Sequence, residues 1–324
     1  MSELSLLENT VVTGATGFIG RHTVRALVTA GCRPTLVTRS TNHDDSLREF
    51  GEKVRWVTVD LTEPNSVREL LHLEKPKVLI HLAGTRGRND ARGSAAACEE
   101  LNFRVTEELL RAATVSEVQR IVILGSAEEY GNQPGPHHEA LPSLAASAYG
   151  ISKARTTKEA MNLFKDAGCP VVVVRPFSVY GPGQPSDMFI AEAVDAAVRN
   201  VEFRMSLGEQ KRDLIFVEDV VRGLIAAASA PGIEGRVINL GTGEAYRLRE
   251  VAELIWKMTG ADSPLLIGAR HAPAEELYDT WADITLARRL LGWTPRVGLE
   301  TGLERTIEFA RVRLEAKAQR CQVM

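Results

Sequence analysis

Tyr149 and Lys153 are the pair best suited to chemistry, standing at positions i and i+4 in the run Tyr149-Gly150-Ile151-Ser152-Lys153, which opens a predicted helix. Helical geometry sets both side chains on one face. A phenol with a pKa of about 10 is a sluggish proton donor or acceptor at neutral pH, and a neighbouring ammonium favours the phenolate. Lowering the value by about three units takes roughly 4 kcal/mol of differential stabilisation, so Lys153 needs help from a second cation. Ser126 follows the apolar run Gln119 to Leu124 and is placed to hydrogen-bond the oxygen whose proton the tyrosine moves. A Tyr-x-x-x-Lys pattern alone usually marks an exposed helix face, so its weight comes from the elements around it.

The first of those elements is Thr13-Gly14-Ala15-Thr16-Gly17-Phe18-Ile19-Gly20, set between the apolar run Thr10 to Thr13 and the amphipathic run Phe18 to Ala30. This is a strand, a glycine turn and a helix. Gly14 suits a tight turn, Gly17 lets a pyrophosphate approach, and Gly20 packs the helix against the strand. The helix start offers free N–H groups and a positive dipole end to phosphates. Further strands are predicted at Pro34 to Val37, Val54 to Val59, Lys77 to Leu82, Gln119 to Leu124, Val171 to Arg175 and Val237 to Leu240. Helices are predicted at Ala95 to Ala113, Tyr149 to Lys165 and near Asp187 to Arg199. The class implied is α/β, a doubly wound parallel-sheet Rossmann fold with a smaller interleaved C-terminal lobe. After the second strand Thr38 stands where an NAD-selective site usually carries an acid for the ribose 2′-OH. Arg39 and Ser40 can instead face a 2′-phosphate, so NADP(H) is preferred, with NAD(H) possible and a solvated Arg39 the alternative.

The spacing G-x-x-G-x-x-G is wider than the commoner G-x-G-x-x-G. With Tyr-x-x-x-Lys downstream, the chain resembles the extended short-chain dehydrogenase/reductase family of nucleotide-sugar epimerases, dehydratases and reductases, from about residue 10 to 310. The resemblance implies that Gly14, Gly17, Phe18, Ile19 and Gly20 cradle the dinucleotide, and that Asp60 and Leu61 contact its adenine. Asp60 is equally well read as an N-cap for the helix after Pro64. His81-Leu82-Ala83-Gly84 matches the H-L-A-G element beside the cofactor ribose, with His81 itself a packed strand residue. Asn102 takes the place of a structural asparagine, and Pro176 with Ser178 falls in the R-P-x-N-x-Y-G-P segment, serine replacing asparagine. Arg212 and Arg270 would bind the diphosphate of a nucleotide sugar, and Asp219 would cap the next helix. Tyr149 becomes the general acid/base, Lys153 its tuning partner, Ser126 the holder of the sugar oxygen, and Tyr149 and Lys153 also touch the cofactor.

Glu128 matches the base of the 4,6-dehydratases, but Ala127 stands where their assisting acid usually lies. Alanine transfers no proton, and the S-x-E-E-Y-G form is closer to reductases of 4-keto-6-deoxy sugars. The leading expectation is therefore an NADP(H)-dependent reductase of a nucleotide-linked 4-keto sugar. A 4-epimerase that retains NAD, a 4,6-dehydratase, and a cofactor-sensing binder without catalysis are the alternatives. Glu129 reads as a loop acid, and Arg86, Arg88 and Arg92 as a solvated basic loop.

With 324 residues, 44% of them hydrophobic, the chain suits one large α/β domain plus a lobe. The expected split is 1–177 with about 214–243 for the dinucleotide, and about 178–213 with 244–324 for the nucleotide sugar. A formal net charge of -3 argues against nucleic acid or an anionic membrane as partner. Cys32, Cys98, Cys169 and Cys321 lie far apart without metal-ligand spacing, so no metal and a reducing cytoplasm are expected. No run approaches the roughly 18 apolar residues of a membrane span. By resemblance the protein is a homodimer, paired through a four-helix bundle for which Leu109, Leu110, Met161 and Phe164 are available, although some of these must face the sheet instead.

Overall fold

The computed structural model describes residues 6–40, 45–86, 94–272 and 276–322. Seven parallel strands form its main sheet: β1 Thr10–Thr13, β2 Thr35–Thr38, β3 Arg55–Thr58, β4 Val78–His81, β5 Arg120–Leu124, β6 Val171–Pro176 and β7 Val237–Leu240. Their spatial order is β7-β6-β5-β4-β1-β2-β3. The order reverses between β1 and β4, which opens a crevice at the strand ends there. Successive residues of one strand enter different cores. Val12, Ile80, Val122 and Val174 belong to one apolar cluster, and Val11, Leu79, Ile121 and Val173 to another. This two-sided burial is why the strands read as unbroken apolar runs.

A third cluster, built around Phe203, Phe216, Trp256 and Leu303, lies apart from the sheet. It underlies short pairings: Ser178–Tyr180 with Leu214–Phe216, Phe203–Met205 with Leu265–Ile267, and Lys211–Arg212 between Tyr246–Arg247 and Asp279–Thr280. Asp213, fully buried, fastens this part to the end of β7. Its carboxylate accepts from Thr242 N at 2.7 Å, Thr242 Oγ1 at 2.8 Å, Gly243 N at 2.9 Å and Ala282 N at 3.1 Å. Asp219 does not cap its helix as expected. It lies inside the helix Val217–Ser229 and accepts instead from Arg296 N and Val297 N, at 3.0 and 2.9 Å, holding the loop after Trp293.

The predicted helix from Ala95 to Ala113 is interrupted. Ser94–Ala97 runs into a π-helical segment, Cys98–Arg104, before regular α-helix resumes over Val105–Thr114. Leu109 and Leu110 point into the sheet-side core with no exposed surface, so they are not free for a subunit partner. The amphipathic spacing does not say which of two apolar faces is the inner one.

At the glycine turn, Gly14 has φ +65, and a Cβ there would lie 2.5 Å from Ala83 N at the end of β4. A Cβ on Gly20 would lie 2.1 Å from Gly14 O and 2.8 Å from Ala15 O. Backbone therefore packs on backbone, with no flexible side chain to yield. Gly20→Ala should destabilise the protein by about 1 to 3 kcal/mol, measured as a lower urea midpoint, with looser dinucleotide binding.

Candidate active site

The site is assembled from three strand ends and two helices. After β1, the twelve-residue helix Phe18–Thr29 begins with Gly17 as N-cap, no side-chain cap and no acid in its first turn. Gly17 is exposed, and Phe18 and Ile19 are half-buried beside it. Unsatisfied N–H groups behind an exposed glycine form a cradle that fits a dinucleotide diphosphate. After β4, Leu82, Ala83 and Gly84 run past Gly14 toward Lys153. A side chain on Gly84 would begin 2.9 Å from Asn102 Oδ1 and 3.6 Å from Lys153 Nζ. Glycine at this point brings the ligand cradle and the lysine onto one surface.

The helix Ala148–Ala167 carries Tyr149 and Lys153 and is capped by Ser147, whose Oγ accepts from Gly150 N at 3.0 Å. Lys153 is 7% exposed, and its Nζ donates to Leu124 O at 2.8 Å while lying 5.9 Å from the Tyr149 ring centroid. Burial pulls the lysine down to about 8, opposed chiefly by Glu129. The Ser126 side chain lies beside the Tyr149 phenol, where it favours the charged form. Its pKa is not lowered as the i, i+4 spacing predicts. Burial pushes it up to about 12, with Arg86 pulling down and Glu128 adding to the rise. The ammonium is engaged with a carbonyl under the ring rather than with the phenol oxygen, which is why its expected effect does not appear.

Ser126 closes β5 and N-caps the short turn Ala127–Tyr130, accepting from Glu128 N at 3.1 Å. Glu128 faces the cleft, where Arg86 Nη2 meets one oxygen at 3.3 Å and Ser147 Oγ donates to the other at 2.8 Å. Arg86 also lies over the Tyr149 ring, 5.6 Å from its centroid, and donates to Met188 Sδ at 3.0 Å. It is part of the site and not a solvated cation; Arg88 and Arg92 lie outside the described residues. Glu129 is not a loop acid either. It is fully buried, paired with Arg175 at 2.6 Å. The spacing Ser126-x-x-Glu129 is a capping-box pattern, a signal in the sequence that could have assigned it. Arg175 and Ser147 carried no comparable signal.

The remaining expected residues divide in two groups. Arg212 is half-buried at the cleft, ion-paired with Glu276 and within charge reach of Glu128. Pro176 is buried at the end of β6, and Ser178 N donates to Asp213 O at 2.9 Å just beyond it. Arg270 lies farther out, 53% exposed and paired with Glu192 at 2.9 Å. Arg39 and Ser40 are exposed after β2, where Thr38 Oγ1 donates to Ser40 O at 3.0 Å. Asp60 is not an N-cap; its Oδ1 accepts from Thr62 N at 3.0 Å and Thr62 Oγ1 at 2.7 Å, and Asn65 precedes the helix Ser66–Glu74. Leu61 is buried in the core beneath it. His81 is a packed strand residue as expected, its ring bonded to Thr13 at 2.7 Å and Thr106 at 3.0 Å and pushed down to about 3 by burial. Among the described residues no cluster of His, Cys, Asp or Glu is arranged to hold a metal, and no helix is long and apolar enough to cross a membrane.

Comparison with known proteins fits this geometry. The chain is 31% identical over 317 residues to UDP-glucose 4-epimerase of Mycolicibacterium smegmatis, covering 93% of this chain and 98% of that one. It is 29% identical over 301 residues to dTDP-6-deoxy-L-talose 4-dehydrogenase (NAD(P)(+)) of Kitasatospora kifunensis, covering 88% and 90%. Among solved structures, MoeE5 in complex with UDP-glucuronic acid and NAD superposes with a TM-score of 0.82 at 31% identity, covering 94% of this chain and 99% of that one. Residues 10–241 match the model of the NAD dependent epimerase/dehydratase family. The cradle, the strand ends and the Tyr149 helix are those of an enzyme of the extended short-chain dehydrogenase/reductase type, and the chain belongs to the NAD-dependent epimerase/dehydratase family.

Proposed function

We propose that the protein oxidises or reduces C4 of a nucleotide-linked hexose, with net reduction of a 4-keto-6-deoxy sugar as its reaction. The observation that carries this is the convergence of Tyr149, Ser126 and Lys153 on one cleft, with the ammonium 5.9 Å from the Tyr149 ring centroid and Gly84 leading from it to the glycine cradle. A bound nicotinamide dinucleotide supplies hydride exchange at the sugar carbon. Ser126 holds the C4 oxygen, Tyr149 gives that oxygen its proton, and the Lys153 charge stabilises the phenolate left behind. Residues 178–213 and 244–324 hold the nucleotide sugar, with Arg212 on its diphosphate and Arg270 at the outer end. Glu128, held by Arg86 and Ser147, binds the sugar rather than removing a carbon-bound proton, because Ala127 gives an elimination no assisting acid.

Thr38, Arg39 and Ser40 support NADP(H) over NAD(H), which suits a cofactor exchanged every cycle. A second reading, an NAD-retaining 4-epimerase, is supported by the M. smegmatis relative and by the NAD named in the MoeE5 complex. The protein is cytoplasmic and pairs as a homodimer through the Ser94–Thr114 and Ala148–Ala167 faces. Ile151 and Phe164 are 44% and 37% exposed there, and Arg155 lies 4.0 Å over the Phe103 ring.

The purified protein should arrive largely free of cofactor and consume NADPH when given a nucleotide-linked 4-keto-6-deoxyhexose. Bound NAD on mass spectrometry, with interconversion of 4-epimers and no action on the keto sugar, would establish the epimerase in its place. Tyr149→Phe should abolish turnover while leaving NADPH binding nearly intact, since the hydroxyl acts in the transition state. Reduction should slow as pH rises through about 8, where Lys153 loses its charge. Arg39→Ala should weaken NADPH about tenfold or more with little change for NADH, as loss of one charge-assisted contact requires; equal loss for both would make Arg39 structural. Sedimentation at micromolar concentration should show a dimer, and a monomer would remove the helix pairing.

A further inference from the structure

Glu129 takes no part in the proton transfer proposed above, yet it is a fully buried acid directly beneath it. One carboxylate oxygen accepts the Ser126 N–H at 2.8 Å, and the other accepts Arg175 Nε at 3.0 Å and Nη2 at 2.6 Å. Arg175 lies over the Tyr130 ring, 4.8 Å from its centroid. Room for the pair is left at Gly125, where a side chain would begin 2.4 Å from Glu129 Oε1 and 2.9 Å from Arg175 Cγ. Gly125 is flanked by Leu124, whose carbonyl accepts from Lys153 Nζ at 2.8 Å, and by Ser126. Desolvation of a buried ion pair commonly offsets its attraction, and apolar residues of similar volume often serve stability as well. The charges are better accounted for by their neighbours than by the fold.

We propose that Glu129, held by Arg175, is a positioning residue of the active site: it fixes Ser126 through the Ser126 N–H and supplies buried negative charge close behind the Leu124 carbonyl that the Lys153 ammonium binds. This rests on the roles given to Tyr149, Ser126 and Lys153 above. The surrounding charges support it. Burial lowers Lys153, Glu129 is the main group opposing that, and the Cys98 thiol acts in the same sense. His81, on β4, is kept neutral by burial and by Lys153. Around Tyr149, burial raises the phenol, Arg86 opposes it, and Glu128 and Glu129 reinforce it.

The test is a carbon-13 NMR titration of lysine side chains in the intact, ligand-free protein, with Lys153 assigned from Lys153→Met, read beside the pH profile of turnover. Glu129→Gln should move the Lys153 titration down by about one pH unit, carry the alkaline limb with it, and cut kcat about fivefold at pH 8 and toward tenfold above it, with KM for the nucleotide sugar little changed. Arg175→Met keeps the carboxylate and should titrate no lower than the parent. The double variant Glu129→Gln/Arg175→Met strands neither Arg175 nor Glu129 as an unpaired charge, so it carries the comparison if the single variant does not fold, and it too should titrate low. A Lys153 titration unmoved by loss of the Glu129 charge overturns the proposal, whatever the activity does. A shifted titration in a protein that turns over no nucleotide sugar overturns the assigned reaction instead.

Discussion

The geometry of the site depends on the side-chain amide of Asn102. With no exposed surface, Asn102 accepts from Thr85 N at 2.8 Å and donates to Thr85 O at 2.8 Å and Ser152 Oγ at 3.0 Å. Its own carbonyl accepts from the Thr106 and Thr156 hydroxyls at 2.8 and 2.9 Å. One residue thus clamps the loop after β4 to the helix bearing Tyr149 and Lys153. A carboxamide matches both the N–H and the C=O of a single peptide residue, which a carboxylate or hydroxyl in the same place does not. Each satisfied bond contributes about 1 kcal/mol, while an orphaned buried group costs about 1 to 3 kcal/mol, so the clamp tolerates no partial version. The π-helical segment Cys98–Arg104 carries it. Such segments are rare and recur at functional sites, where the widened turn redirects a side chain.

Much of the fold was legible because strands buried on both faces leave unbroken apolar runs. Val237–Leu240 matches its expected bounds, and the other strands lie within a residue or two of theirs. That Tyr149, Lys153 and Ser126 come together was legible through spacing and order along the chain. Gly14 and Gly20 were legible because each meets a steric demand that no other residue satisfies. Asn102 was found only by resemblance, since nothing local separates a buried clamp from a polar residue on an exposed helix.

What escaped the sequence depends on contacts between distant segments. Arg86 looks like any loop arginine until β4 and β5 stand side by side and bring it to Glu128. The inner and outer faces around Leu109 and Leu110 are fixed by the helix Ser66–Glu74 packing against them, which the spacing of one helix does not encode. Asp219 was read as a cap because it opens a helix, and Asp60, which precedes one, was read equally as a cap and as an adenine contact. Asp60 makes a local turn with Thr62, and Asp219 reaches a loop far along the chain. For small polar residues the competing local and distant acceptor roles are similar in energy, and the tertiary fold selects between them.

The charges in the cleft are arranged in pairs: Arg86 with Glu128, Arg175 with Glu129, Arg212 with Glu276, Arg270 with Glu192. Their depths separate their uses. An exposed pair such as Arg270 with Glu192 is worth little, about 0 to 1 kcal/mol, and a phosphate can displace the acid at small cost. A pair as buried as Arg175 with Glu129 cannot be parted without stranding a charge, which suits a fixed support and excludes a ligand contact. Arg212 lies between, with its guanidinium 14% exposed and its partner acid 17%. An anion at Arg212 must outcompete a carboxylate in a low-dielectric place, where two closely spaced negative charges do so better than one. A diphosphate would meet that condition and a lone carboxylate would not, which is the physical argument for the nucleotide-sugar diphosphate proposed at Arg212.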